Sequence, residues 1–249
     1  MNEMKRRAAA CPIFCSCVCG TDGCAPLFCF LLLEKMASSR LLEVKIRIVS
    51  DFACPWCYVG DKRLRNAMKL FESTLHFEVE WHPYIIDKGT DRNGEDYLAY
   101  NIRRWGGDGW VKDMKKSSFD DGCKFAQWNI WINSKHPHRM MQFAKSISLP
   151  HADSLKSILF QKYYEEGVNI SLISELVLIG KELGMEGVED YLLDENRGYA
   201  DVIASDTAAK KSGINGVPHF TIECNGHTIT ICGAQPTLKW TNLFKKFTF

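Results

Sequence analysis

Val44-Lys45-Ile46-Arg47-Ile48-Val49-Ser50-Asp51-Phe52-Ala53-Cys54-Pro55-Trp56-Cys57 is the stretch whose reading decides the fold. Val44, Ile46 and Ile48 alternate with Lys45 and Arg47, and Val49 continues the run. A period of two marks a half-buried strand. Beyond the cysteines, Leu64, Ala67, Met68, Phe71 and Leu75 recur at helical spacing, which predicts a helix from about Pro55 to Leu75. The two cysteines therefore stand at a strand-to-helix junction. Pro55 suits the first helical position, where its missing N–H costs no bond.

This placement gives the pair its chemistry. The free N–H groups and positive dipole end of a helix favour a thiolate at Cys54. Cys57 follows three residues on, one turn into the helix, within reach of the first sulfur. Cys54 then attacks or is attacked, and Cys57 resolves the mixed disulfide. A CxxC pair is also half of a zinc site, or two buried bystanders. No second CxxC follows, and no histidine stands at ligand spacing, so no metal is expected.

Outward from the junction, Phe77, Val79 and Trp81 alternate with Glu78, Glu80 and His82, a second strand. Strand, helix and strand form a right-handed parallel unit. Residues from about 90 to 195 read as mostly helical. Gly106-Gly107-Asp108-Gly109 interrupts them, Leu155, Ile158, Leu159 and Tyr163 form a stripe, and Ser171 is the expected cap of a helix ending at Gly184. Tyr199, Val202, Ile203 and Ala209 mark another helix, closed by Gly213. Phe220 to Cys224 and His227 to Cys232 flank Asn225-Gly226, a two-residue type I′ hairpin signal. A last helix begins at Pro236, with Trp240, Leu243, Phe244 and Phe247 on one face. This order is α/β: a thioredoxin fold with a central helical insertion.

Gly216-Val217-Pro218-His219 precedes the hairpin strand. A cis Val217–Pro218 bond would turn the Val217 backbone outward beside the cysteines, while an ordinary trans turn proline is the competing reading. The hairpin register, with Cys224 across from His227, sets His219 across from Cys232. Either could serve the site, Cys232 as a third thiol and His219 as a neighbour of the thiolate, or both are bland hairpin residues. His138 and Arg139 could line a groove under the insertion, or be a capping or surface pair. Trp105, Trp110, Trp128 and Trp131 could form an apolar substrate wall, with core packing the alternative for most of them. Cys123 is expected to be inert.

The wider composition limits the function classes. The chain has 249 residues, 46% hydrophobic and 24% charged, with a net charge of +1, so no global field points to nucleic acid or anionic lipid. No apolar run is long enough to predict a transmembrane helix. Six of the 11 cysteines crowd the first 29 residues. Residues 1–43 read as a leader. They could be a targeting segment, a modified or metal-binding cysteine cluster, or a non-native start ahead of Met36. The domain proper is 44–249. A cytoplasmic location is expected, with organelle or secretory targeting by residues 1–35 as the alternative.

Several segments together resemble the DsbA-like thioredoxin family, in particular the FrnE-type group related to 2-hydroxychromene-2-carboxylate isomerase. Asp51 to Gly60 resembles its active-site segment, and Val79 to Tyr84 is similar to its second strand. Gly216-Val217-Pro218-His219-Phe220 and Gly233-Ala234-Gln235-Pro236 are similar to its C-terminal motifs. The resemblance spans about residues 44 to 247 and implies a cis proline at Pro218, with Pro55, Trp56 and Val217 supporting the cysteines. It implies thiol–disulfide exchange on a protein or small-molecule substrate, with no bound cofactor and with glutathione or another dithiol as a redox partner. The alternative is a glutathione-dependent isomerase or transferase of the kappa-class type. That branch typically has serine where Cys54 stands. His219 and Cys232 depart from the family pattern, and the Trp- and Lys-rich stretch from Trp105 to Trp131 aligns poorly with it.

Overall fold

The computed structural model describes residues 41–248. The leader reading therefore lies outside the described residues, apart from its last three positions. Two of those, Leu42 and Glu43, already belong to the first strand, β1 (Leu42–Ser50). The helix that follows, α1, covers Pro55–Lys69 and is shorter than the sequence pattern predicts. Leu75 instead opens β2 (Leu75–Pro83), because β2 pairs with β1 in parallel from Leu42↔Leu75 to Ser50↔Pro83. The apolar period runs on because Phe71, in the turn after α1, and Leu75, in β2, enter the same core.

The C-terminal strands β5 (His219–Cys224) and β6 (His227–Cys232) complete a sheet of order β2-β1-β5-β6. β5 runs antiparallel to β1, with Ile46 opposite Ile222 and Ile48 opposite Phe220. The hairpin has the expected register, with Cys224 across from His227 and His219 across from Cys232. Asn225 and Gly226 both have positive φ, 50° and 74°, as a type I′ turn needs. The last helix, α9 (Thr237–Phe247), lays Trp240 against Phe220 and Phe244 against Phe77, at ring distances of 4.8 and 4.9 Å.

Between β2 and the hairpin lie seven helices among the described residues. They are α2 (Tyr97–Trp105), α3 (Gly109–Ser118), α4 (Lys135–Ile147), α5 (Leu149–Phe160), α6 (Ile173–Glu182), α7 (Val188–Leu193) and α8 (Tyr199–Lys211). The region is not purely helical. Glu95–Asp96 (β3) and Ile130–Trp131 (β4) form a small antiparallel ribbon, and α5 runs on into a π-helical turn at Gln161–Glu165. Ser171 does not cap α6. Its hydroxyl accepts the Asn133 N–H at 2.9 Å, tying the segment before α6 to the one before α4.

Two buried ionic groups join the insertion together and to α1. Lys156 of α5, fully buried, pairs with Asp61 of α1, and Asp153 pairs with Arg65. Arg139 of α4 is also fully buried. Its guanidinium donates to the carbonyls of Tyr191 (3.1 Å), Leu192 (3.2 Å), Asp194 (2.5 Å) and Arg197 (2.8 Å). These are carbonyls at and beyond the C-terminal end of α7, which no helical N–H can reach. The residue is therefore structural, neither a groove residue nor a surface one.

Arg139→Gln should lower the free energy of unfolding by about 3 kcal/mol, because several buried carbonyls lose their donor at once. A urea titration followed by far-UV circular dichroism measures this. Arg139→Lys should recover less than half of the loss, since one ammonium cannot reproduce a planar fork.

Candidate active site at the helix terminus

β1 ends at Ser50, and the chain turns through Asp51, Phe52 and Ala53 into α1. The turn is built on Asp51, a fully buried carboxylate. Its Oδ1 accepts the Ala53 N–H at 3.1 Å and its Oδ2 the Ile86 N–H at 2.7 Å. The Asp51 carbonyl accepts the Cys54 N–H at 3.2 Å. Cys54 is then the N-cap residue, with extended φ and ψ and no side-chain cap bond. Pro55 occupies the first helical position, as the sequence predicts. Sγ of Cys54 is thus left free to serve as something other than a cap.

Cys54 is 8% exposed and Cys57 1%. Both thiols are free. Burial pushes the Cys57 thiol well above its ordinary value, and the adjacent Cys54 sulfur adds to this. The pair is therefore unequal, with one sulfur at an opening and one protonated behind it. Sγ of Cys54 lies 3.7 Å from the Val217 carbonyl, to which its S–H points. The Val217–Pro218 peptide is cis, as the resemblance implies. Gly60 permits this approach, because a Cβ there would stand 2.9 Å from Cγ of Pro218.

Cys54, Pro55 and Trp56 open onto a groove of about 660 Å³. Asn215, Gly216 and Val217 form one side of it, and Tyr84 and Ile86, just beyond β2, form another. The insertion supplies Arg104, Trp105, Trp110 and Trp131. Three of the four tryptophans considered as a wall therefore border it, and Trp128 packs in the core, its Nε1–H donating to the Tyr163 hydroxyl at 2.8 Å. Tyr84 ends the segment that resembles the family's second strand, whereas Ile86, Arg104 and Asn215 belong to no motif and carry no sequence signal.

Three other candidates stand elsewhere. His138 is fully buried and does not border the groove, so the groove reading of this residue is corrected. Its Nε2 lies 3.2 Å from the Tyr84 carbonyl and 3.4 Å from Oδ1 of Asp51, two acceptors, so the proton sits on Nε2. It braces the turn from behind. His219 is half-buried and Cys232 exposed, both in the hairpin and outside the groove lining. Burial lowers the His219 pKa. Cys123 is buried, and burial pushes its thiol up to about 12.

The π-helical turn grips the same region. Tyr164 donates its hydroxyl to the Phe52 carbonyl at 3.0 Å, and its ring stacks on Tyr58 at 5.1 Å. Tyr58 in turn donates to Glu165 at 2.6 Å and accepts the Lys124 N–H at 3.1 Å. Such local widening of a helix often accompanies functional sites. Here it presents the consecutive residues Tyr164 and Glu165 to both flanks of the cysteine pair.

Comparison with known proteins gives a consistent result. The family model described as a DSBA-like thioredoxin domain matches residues 45–242. The Bacillus subtilis (strain 168) protein YwbO is 26% identical over 188 residues, covering 73% of this chain and 88% of its own. Among solved structures, a "probable DsbA oxidoreductase" from Streptomyces coelicolor superposes with a TM-score of 0.71 at 22% identity, covering 82% of this chain and 89% of that one. The cytosolic disulfide reductase DsbM of Pseudomonas aeruginosa does so with a TM-score of 0.60 at 17% identity, covering 81% and 97%. A 2-hydroxychromene-2-carboxylate isomerase gives 0.55 at 15% identity, covering 81% and 95%.

Two measurements follow from the geometry. Brief iodoacetamide treatment at neutral pH, read by peptide mass mapping, should label Cys54 and the exposed Cys232 and spare Cys57, Cys123 and Cys224. Asp51→Asn should cost about 1–3 kcal/mol in a urea titration, because an amide cannot accept from both the Ala53 and Ile86 N–H groups.

Proposed function

The chain belongs to the DSBA-like thioredoxin domain family, and from that premise we propose that it is a thiol–disulfide oxidoreductase working through Cys54 and Cys57. The observation that carries this reading is the unequal pair. Cys54 caps a helix at the floor of an open groove, and Cys57 lies one turn behind it, buried and protonated.

The Cys54 thiolate attacks one sulfur of a substrate disulfide. A Cys54–substrate bond forms, the substrate S–S bond breaks, and the departing thiolate takes up a proton. Cys57 then loses its proton and attacks Sγ of Cys54. An intramolecular disulfide forms and the second substrate thiol leaves. The substrate is reduced by two electrons and the enzyme pair is oxidised. A dithiol, or two equivalents of a thiol such as glutathione, returns the pair to its starting state. The same steps reversed oxidise a substrate dithiol. Near the Val217 carbonyl, beside the cis proline, an extended substrate backbone can lie alongside the sulfur.

The glutathione-dependent isomerase or transferase reading has the shared fold of the isomerase behind it, but the cysteine at position 54 favours exchange. A cytoplasmic setting is part of the same proposal. Free Cys123, Cys224 and Cys232 support it, as does the cytosolic setting named for the Pseudomonas reductase. Among the described residues no helix is long and apolar enough to cross a membrane.

Cys54→Ser should abolish dithiol-dependent insulin reduction, while Cys57→Ser should accumulate a mixed disulfide visible on a non-reducing gel. An unchanged insulin rate in Cys54→Ser would falsify the proposal. In the native enzyme the resolving step should accelerate as pH rises through the neutral range. The sign follows from burial, which holds Cys57 protonated there, so each increment of pH adds thiolate.

A further inference from the structure

The groove beside Cys54 has a lining that is unusual in two respects. It is rich in aromatic rings, and beside Cys54 it carries a single Lys, Arg, Asp or Glu side chain among the described residues. Trp56 and Trp105 leave 37% and 51% of their surfaces open, on opposite contributions to the groove, one from α1 and one from the insertion. Large indoles left in water beside a reactive sulfur mark a recognition surface. Trp110 and Trp131 extend the aromatic wall inward.

Arg104 is the single Lys, Arg, Asp or Glu among the described residues that line the groove. Its guanidinium lies over the Trp105 ring at 4.7 Å, which holds it at the groove wall. Its ion pairing is weak. Asp87 Oδ2 lies 4.0 Å from Nε, and that oxygen is shared with Arg103 at 3.7 Å. Arg103 has Glu95 at 2.7 Å, whereas Arg104 has no closer carboxylate among the described residues. The planar fork is therefore free to take a bidentate carboxylate from a ligand.

We propose that this groove selects disulfides whose cysteine is flanked by an aromatic residue and a carboxylate, the tryptophans seating the ring and Arg104 the anion. This rests on the exchange reading and names its substrate class: an acidic, aromatic peptide segment. A volume of about 660 Å³ admits such a segment, being within the ~300–1,000 Å³ of ordinary ligand sites. Glutathione fits less well. It has no ring for the tryptophans, and its ammonium group meets no acidic side chain in the lining.

Binding and turnover test the proposal separately. The binding probes are acetylated S-methylcysteinyl-phenylalanine as free acid and as amide, and the alanine analogue as free acid, each titrated by tryptophan fluorescence. The phenylalanine acid should bind about tenfold tighter than either other probe, the size expected for one charge-assisted bond or one buried ring. Arg104→Gln, an exposed position that the fold tolerates, should bring the acid-to-amide ratio to about one. The same acid preference should appear in kcat/KM for the corresponding peptide disulfides, and should shrink at high salt. Equal binding of acid and amide, an unchanged ratio in Arg104→Gln, or a higher kcat/KM for glutathione disulfide than for the peptide would overturn the selection. Bis(2-hydroxyethyl) disulfide, which has neither ring nor charge, reports exchange alone. Turnover of it without any acid preference sinks the selection and keeps the exchange reading. Retained acid-selective binding without turnover of any disulfide does the reverse.

Discussion

The Asp51 carboxylate is the constraint on which the rest of this site depends. It is buried, among the described residues without a lysine or arginine in ion-pair reach, and its two oxygens are held by the N–H groups of Ala53 and Ile86, with the His138 ring at 3.4 Å. A buried carboxylate is costly unless its lone pairs are filled, so the three partners cannot drift apart independently. They come from the turn that carries Cys54, the segment leaving β2, and helix α4 of the insertion. One side chain thereby fixes the thioredoxin-like sheet and the insertion in a shared geometry at the place where the sulfur emerges.

From that tie the electrostatics of the pair follow. The turn ends with extended backbone at Cys54, so the first turn of α1 begins immediately after it and Sγ of Cys54 stands at the helix N-terminus, 3.7 Å from the Val217 carbonyl. One turn further on, Cys57 is buried in the core, where desolvation favours the neutral thiol. Tyr164 and Glu165, set side by side by the π-helical turn, hold Phe52 and Tyr58 on either side of the cysteines. The insertion is therefore more than a cover over a groove. It braces the backbone that positions the sulfurs, and its outer helix α2 supplies the groove with Arg104 and Trp105.

Much of this was legible in the chain. The period-two run from Val44 and the hairpin at Asn225-Gly226 announced the strands, and even the His219–Cys232 register followed from the turn type. Where the reading went astray, a local pattern met a tertiary demand. Leu75 continues the helical period of α1 but belongs to β2, where it stands opposite Leu42 at the start of the parallel ladder. Ser171 has the residue type and place of a helix cap, yet its hydroxyl answers the Asn133 N–H. His138 and Arg139, polar residues in a helical stretch, are fully buried because carbonyls and a carboxylate from distant segments converge on them.

By itself the sequence determined the junction: a strand, two cysteines one turn apart, a proline that starts the helix, and a second proline before a hairpin. These are short-range facts, set by backbone sterics and by the period of apolar residues, and they survive any change of surroundings. The tertiary structure alone decided how deeply Cys57 is buried behind Cys54 and the character of the groove. Burial, the approach of Val217 to Cys54, and the placing of Arg104 and Trp56 on one groove depend on bringing together segments 48 to 163 positions apart. No local pattern encodes such contacts, because they arise only when separate apolar faces share one core.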